Sequence, residues 1–124
     1  IPLDTVSHYG IITGVWENKE ETVMSMSALC EKPTEDYAET NLKTRTKHTE
    51  ANYYSVFGQY ILTPEVFHQL QLDIDTAAGS TREVELTSAL EKVRKQYGMM
   101  GVILDGDMFD MGNPTALKHL IHNY

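Results

Sequence analysis

Residues 9 to 16 read Tyr-Gly-Ile-Ile-Thr-Gly-Val-Trp, an apolar and β-branched run that predicts a β-strand. A polar turn follows, Glu17-Asn18-Lys19-Glu20-Glu21. Thr22 to Cys30 then reads as a second strand, and simple alternation puts Met24, Met26, Ala28 and Cys30 on one face. Two such runs joined by a short polar turn predict an antiparallel hairpin, and that hairpin commits the chain to a fold built on a sheet.

The rest of the chain alternates between the two periodicities. Thr34 to Ser55 is long, polar and poor in apolar residues; it reads as a surface loop, a loose helix around Tyr37-Ala38, or a partly mobile segment. It carries Lys43, Arg45 and Lys47, the densest basic patch. Val56 to Leu62 is a further strand candidate. Thr63-Pro64-Glu65 starts a helix, with Thr as N-cap, Pro at the first helical position and an acid in the first turn. Val66, Phe67 and Leu70 give that helix its apolar face, and Asp75 to Arg82 reads as a loop of small residues. Leu86, Leu90, Val93 and Tyr97 recur at helical spacing, closed by Gly98. Ser88 and Glu91 fit a capping box for this helix, with Thr87 as a rival cap. Met99 to Leu104 reads as a last strand, and Asn113-Pro114 opens a final helix with Leu117, Leu120 and Ile121 inward. The expected class is α/β, with residues 1–124 forming one domain.

Composition narrows the function. Eighteen Asp plus Glu against ten Lys plus Arg give a formal charge of −8, which disfavours binding to a nucleic-acid backbone. Small anionic ligands stay open, because a site needs only a few local cations. One cysteine, Cys30, permits no internal disulfide and fits a reducing, cytoplasmic compartment. No apolar run approaches membrane-spanning length. The chain begins Ile1-Pro2-Leu3, without methionine, which fits an excised fragment or a processed chain.

Two short motifs carry the chemistry. Cys30-Glu31-Lys32-Pro33 sets a carboxylate beside an ammonium where a strand enters a proline-stiffened loop. Phe109-Asp110-Met111-Gly112-Asn113-Pro114 sets one carboxylate before a turn into a helix. Read alone, Lys32 is a solvated loop lysine and Glu31 its surface ion-pair partner. Asp110 alone is a helix N-terminal residue, and Gly10 is either a strand irregularity or a point of close approach. Asp105 and Asp107 read as turn residues around Gly106, and the five histidines as surface groups, His119 and His122 having no evident third ligand. A glycine-rich phosphate cradle is not present in these residues.

These motifs, in this order, resemble the C-terminal half of bacterial UTP–glucose-1-phosphate uridylyltransferases, among the sugar-1-phosphate nucleotidyltransferases. The matching stretches are Tyr9-Gly10-Ile11-Ile12, Glu31-Lys32-Pro33, Gly58 to Phe67, Glu83 to Leu90, and Phe109-Asp110-Met111-Gly112. Gln59 and Thr81-Arg82 depart from the usual arginine and glycines, and Asn41 to Ser55 is longer than usual. The resemblance implies the C-terminal portion of a mixed-sheet, Rossmann-like nucleotidyltransferase domain, without the N-terminal nucleotide-binding part. It implies a parent reaction of UTP with glucose 1-phosphate giving UDP-glucose and diphosphate. Gly10 and Glu31 would hold the sugar, Lys32 its phosphate, and Asp110 a catalytic Mg²⁺. On this reading the chain alone is inactive and is expected to be a homo-oligomer, with no nucleic-acid or membrane partner. Alternatives are a thymidylyl or other sugar-nucleotide enzyme, or a non-catalytic interaction module.

Overall fold

In the computed structural model, residues 1–47, 52–106, 112 and 114–123 are described. The hairpin forms as expected from β1 (Gly10–Trp16) and β2 (Val23–Glu31), paired antiparallel from Gly10 opposite Glu31 to Trp16 opposite Met24. Asn18 closes the turn. Its Oδ1 accepts from the backbone N–H groups of Thr22 and Val23, each at 3.1 Å, which replaces the missing ladder bonds at the hairpin's end. Two short strands flank the pair, β3 (Tyr54–Ser55) beside β1 and β4 (Met100–Val102) beside β2, both antiparallel. The order is β3-β1-β2-β4. The apolar run of β1 is therefore interior to the sheet, which accounts for its composition.

Simple alternation fails in β2. Thr13 pairs with Ala28 but Gly14 pairs with Met26, so Ser27 is an extra residue in a β-bulge. The bulge splits the four residues expected on one face. Met24 and Met26 pack with Ile12 and Leu29 in one cluster; Ala28 and Cys30 pack with Ile11 in the other.

Helices cover both faces. On one side lie a 3₁₀ turn (Leu3–His8) and α1 (Glu35–Asn41), enclosing Val6, Ile11, Ala38, Leu42 and Tyr53. Thr34 caps α1 by accepting from the Tyr37 N–H at 3.3 Å. The segment after α1 is fastened down. The Thr44 hydroxyl meets that of Thr13 at 2.8 Å in the interior, and the Trp16 indole N–H donates to the Arg45 carbonyl at 2.9 Å. On the other side lie α2 (Pro64–Ala77) and α3 (Leu86–Tyr97), which bring Val66, Leu90 and Val93 against Met24, Met26 and Leu29. A Lys92–Asp73 ion pair at 2.5 Å joins the two helices.

Other boundaries move. Val56 donates its N–H to the Gly10 carbonyl at 2.8 Å, but the chain then leaves the sheet, turning at Gly58 (φ 71°), so no strand runs to Leu62. α2 runs past the expected loop start at Asp75 and ends at Ala77, leaving the loop shorter than expected. Gln69 donates to Asp73 and Gln71 to Asp75, both at 2.9 Å, pairs that support a helix one turn apart. Its face is narrower than expected: Val66 is buried and Leu70 half-buried, but Phe67 is exposed. Glu85 occupies the N-cap of α3, so neither Ser88 nor Thr87 caps it. The last helix, α4 (Pro114–Asn123), exposes Leu117 and Ile121, and neither hydrophobic cluster of the described residues draws on it.

Candidate functional site

The structure brings Gly10, Glu31 and Lys32 together at one end of the hairpin. Gly10 and Glu31 are cross-strand partners, and the Lys32 N–H extends the ladder by donating to the Tyr9 carbonyl at 3.0 Å. A Cβ built on Gly10 would stand 3.0 Å from Glu31 Oε2 and 3.6 Å from Val56 Cγ2. The missing side chain of Gly10 thus leaves the space in which the Glu31 carboxylate lies.

The same carboxylate oxygen accepts from the Thr87 hydroxyl at 2.7 Å. Thr87 belongs to the first turn of α3, so the hydrogen bond ties the end of β2 to a helix across the core. Tyr60 lies within electrostatic reach of Glu31. Burial first, and then the Glu31 charge, push the Tyr60 hydroxyl up, so it stays a protonated donor at neutral pH. Cys30 is pushed up by burial, then by Glu31 and Glu91, and stays a thiol.

Lys32 adopts φ 43°, a left-handed conformation that costs a non-glycine residue roughly 1–3 kcal/mol. It turns the chain out of the sheet into buried Pro33 and the start of α1. Lys32 is exposed, and no described residue pairs with its ammonium; the adjacent-residue ion pair with Glu31 is not formed.

A second polar group braces β2 just before this corner. Arg94 grips Glu91 with two bonds, Nε to Oε2 at 2.6 Å and a second guanidinium nitrogen to Oε1 at 2.9 Å. Glu91 Oε2 accepts the Leu29 N–H at 3.1 Å, and Arg94 donates to the Met26 carbonyl at 3.3 Å. These backbone groups lie past the last residue of β2 that β4 pairs, so two side chains of α3 complete the edge that β4 leaves open.

Asp110 and Asp107 fall outside the described residues, while Asp105 is exposed. His119 and His122 lie exposed on α4. Among the described residues there is no group of three or more His, Cys, Asp or Glu that would hold a metal ion. Sequence reasoning missed Thr87, Tyr60, Glu91 and Arg94 as neighbours of Glu31 and of the strand that carries it. Tyr60 and Thr87 do fall inside the stretches Gly58–Phe67 and Glu83–Leu90, which carry the resemblance and held the only signal.

A sheet covered by helices on both faces, with a glycine, a carboxylate and a lysine at one hairpin end, makes this an α/β unit. The whole chain superposes on 42% of a UDP-glucose pyrophosphorylase crystallised with UDP-glucose, with a TM-score of 0.72 and 26% identity. In sequence it is similar to a UTP–glucose-1-phosphate uridylyltransferase of Staphylococcus haemolyticus, 30% identical over 112 residues, covering 90% of this chain and 33% of that protein. It is also similar to the one from Streptococcus pneumoniae, 29% identical over 128 residues, covering 96% of this chain and 38% of that protein. The chain thus spans between about a third and two fifths of these curated relatives. No protein-family profile matches it. No described helix is long and apolar enough to cross a membrane.

Proposed function

We propose that this chain is the sugar-phosphate-binding portion of a sugar-1-phosphate nucleotidyltransferase, whose complete form makes UDP-glucose and diphosphate from UTP and glucose 1-phosphate in the cytoplasm. The supporting observation is the convergence of Gly10, Glu31 and Lys32 at one hairpin end, in a chain similar along its whole length to UDP-glucose pyrophosphorylase. Glu31 accepts hydrogen bonds from sugar hydroxyls, and the unpaired Lys32 ammonium meets the phosphate. In the complete enzyme, a phosphate oxygen of the sugar attacks the α-phosphorus of UTP and diphosphate leaves. What this chain contributes is position and charge. Asp110 would supply one carboxylate to a Mg²⁺ otherwise held by substrate phosphates.

Purified alone, the chain is expected to release no diphosphate from UTP and glucose 1-phosphate; release above a blank would sink that part of the reading. In the complete enzyme, Lys32→Ala removes one charge-assisted contact worth on the order of 1.5–3 kcal/mol, or roughly 10- to 150-fold in kcat/KM for glucose 1-phosphate. The KM for UTP should move less than about twofold. Equal losses for both substrates would take the phosphate away from Lys32.

A second role is favoured by β4. Met100, Val102 and Leu104 are 53%, 66% and 54% exposed, and the strand's outer edge meets no described strand. Open edges of this kind pair with other strands. We propose that two copies associate through β4. Light scattering should then show a dimer at high protein concentration that Val102→Lys dissociates; a monomer throughout would exclude the pairing.

A further inference from the structure

We propose that Thr87 is a positioning residue, whose hydroxyl pins one carboxylate oxygen of Glu31 above Gly10 and leaves the other oxygen as the acceptor for the hydroxyls of a sugar phosphate. The proposal rests on the sugar-phosphate reading of this corner and adds to it the element that sets its geometry.

Glu31 is the last residue of β2, opposite Gly10, and a glutamate at a strand end has three side-chain torsions to fix. Left free, it would lose that freedom on each binding event. Here its Oε2 is held from two directions. Thr87 donates to it at 2.7 Å, and the empty space over Gly10, where a Cβ would come within 3.0 Å, admits it. Thr87 is itself fixed. It stands in the first turn of α3, ahead of Ala89, Leu90 and Val93, which are all buried. The helix is thus anchored in the core and holds out a hydroxyl to the strand end. No described donor occupies Oε1. A carboxylate with one oxygen committed and the other open can accept from substrate hydroxyls without first being ordered.

The test is a pair of titrations of this chain, with glucose 1-phosphate and with inorganic phosphate, followed by NMR. Thr87→Val should weaken glucose 1-phosphate roughly 3- to 10-fold, the cost of ordering one long side chain, and leave inorganic phosphate unchanged. Thr87→Ser should restore it. Gly10→Ala should give the same selective loss from the opposite side, by crowding Oε2, and together with Thr87→Ala it carries the test if Thr87→Val does not fold. A merely structural role for Thr87 would shift both ligands, or neither. If Thr87→Val and Gly10→Ala bind glucose 1-phosphate as the unaltered chain does while Glu31→Gln loses it, the positioning role is wrong and the sugar site stands. If Glu31→Gln has no effect, or the unaltered chain does not prefer glucose 1-phosphate to phosphate, the site itself fails and the proposal falls with it.

Discussion

Gly14→Ala is expected to destabilise the fold by about 3 kcal/mol, the upper end of what overpacking costs, because the obstruction is backbone. A Cβ at this position would stand 2.0 Å from the Ser25 carbonyl oxygen and 2.8 Å from Met24 Cγ. Gly14 sits beside the bulge, where the two strands of the hairpin crowd each other, and neither can retreat without breaking the ladder that joins them. Against a typical stability of roughly 5–15 kcal/mol, such a loss removes a large share of the folded population's margin. Gly101→Ala is the control. Its Cβ would crowd Ile12 Cδ1, at 2.8 Å, the end of a side chain that can turn away, and would make only ordinary contact with Met26 Cγ at 3.7 Å and Met24 Cβ at 3.9 Å, so about 1 kcal/mol is expected. Urea unfolding of both variants checks the difference. A Gly14→Ala midpoint within error of the unaltered chain would mean that the strands are not this close.

Glu91→Ala should cost about 2–4 kcal/mol, near the range for breaking a buried ion pair. Its side chain is 19% exposed and that of Arg94 13%, so solvent screens the pair only in part. The loss has two components. The Leu29 N–H is left without its acceptor, and the Arg94 guanidinium is left desolvated without its counter-charge. Glu91→Gln, which keeps an acceptor for Leu29, should lose less. Replacing both members together, Glu91→Leu with Arg94→Met, should recover part of the loss, since no uncompensated charge then remains. Hydrogen exchange at the Leu29 amide reads the same interaction locally: protection should fall in Glu91→Ala by more than the drop in global stability explains. Unchanged protection would show that the carboxylate does not hold this amide.

What the sequence discloses follows from where its patterns are long enough to read. β1 is legible because it is a sustained apolar run, β2 because Met24 and Met26 alternate with serines, and α3 because Leu86, Leu90 and Val93 repeat at helical spacing and Gly98 ends it at φ 80°. α1 is hard to see because Ala38 is its one buried residue, too little to set a period. β3 and β4 have two and three residues, so strand order is not written in either of them. The site divides in the same way. Gly10 and Glu31 meet because the hairpin register places them opposite, and a hairpin is predictable. Thr87 reaches Glu31 from 56 residues away through the docking of a helix, which no local spacing encodes. Glu91 looked like half of a capping box because its distance from Ser88 suits one; the helix had already begun at Leu86, and the carboxylate went to the sheet instead.

The single extra residue at Ser27 has a consequence for parity. Met24 and Met26 face α2 and α3, and in an uninterrupted strand every even-numbered position would do the same. Glu31 is odd, yet it too faces α3, where Thr87 waits. Only an odd number of inserted residues between Met26 and Glu31 makes both true. One residue in the middle of β2 therefore decides whether the carboxylate, four positions away from it, is delivered to the helix side or to the 3₁₀-turn side. Among relatives that differ in length here, an insertion or deletion would act as an inversion rather than a displacement, exchanging inside for outside along the rest of the strand.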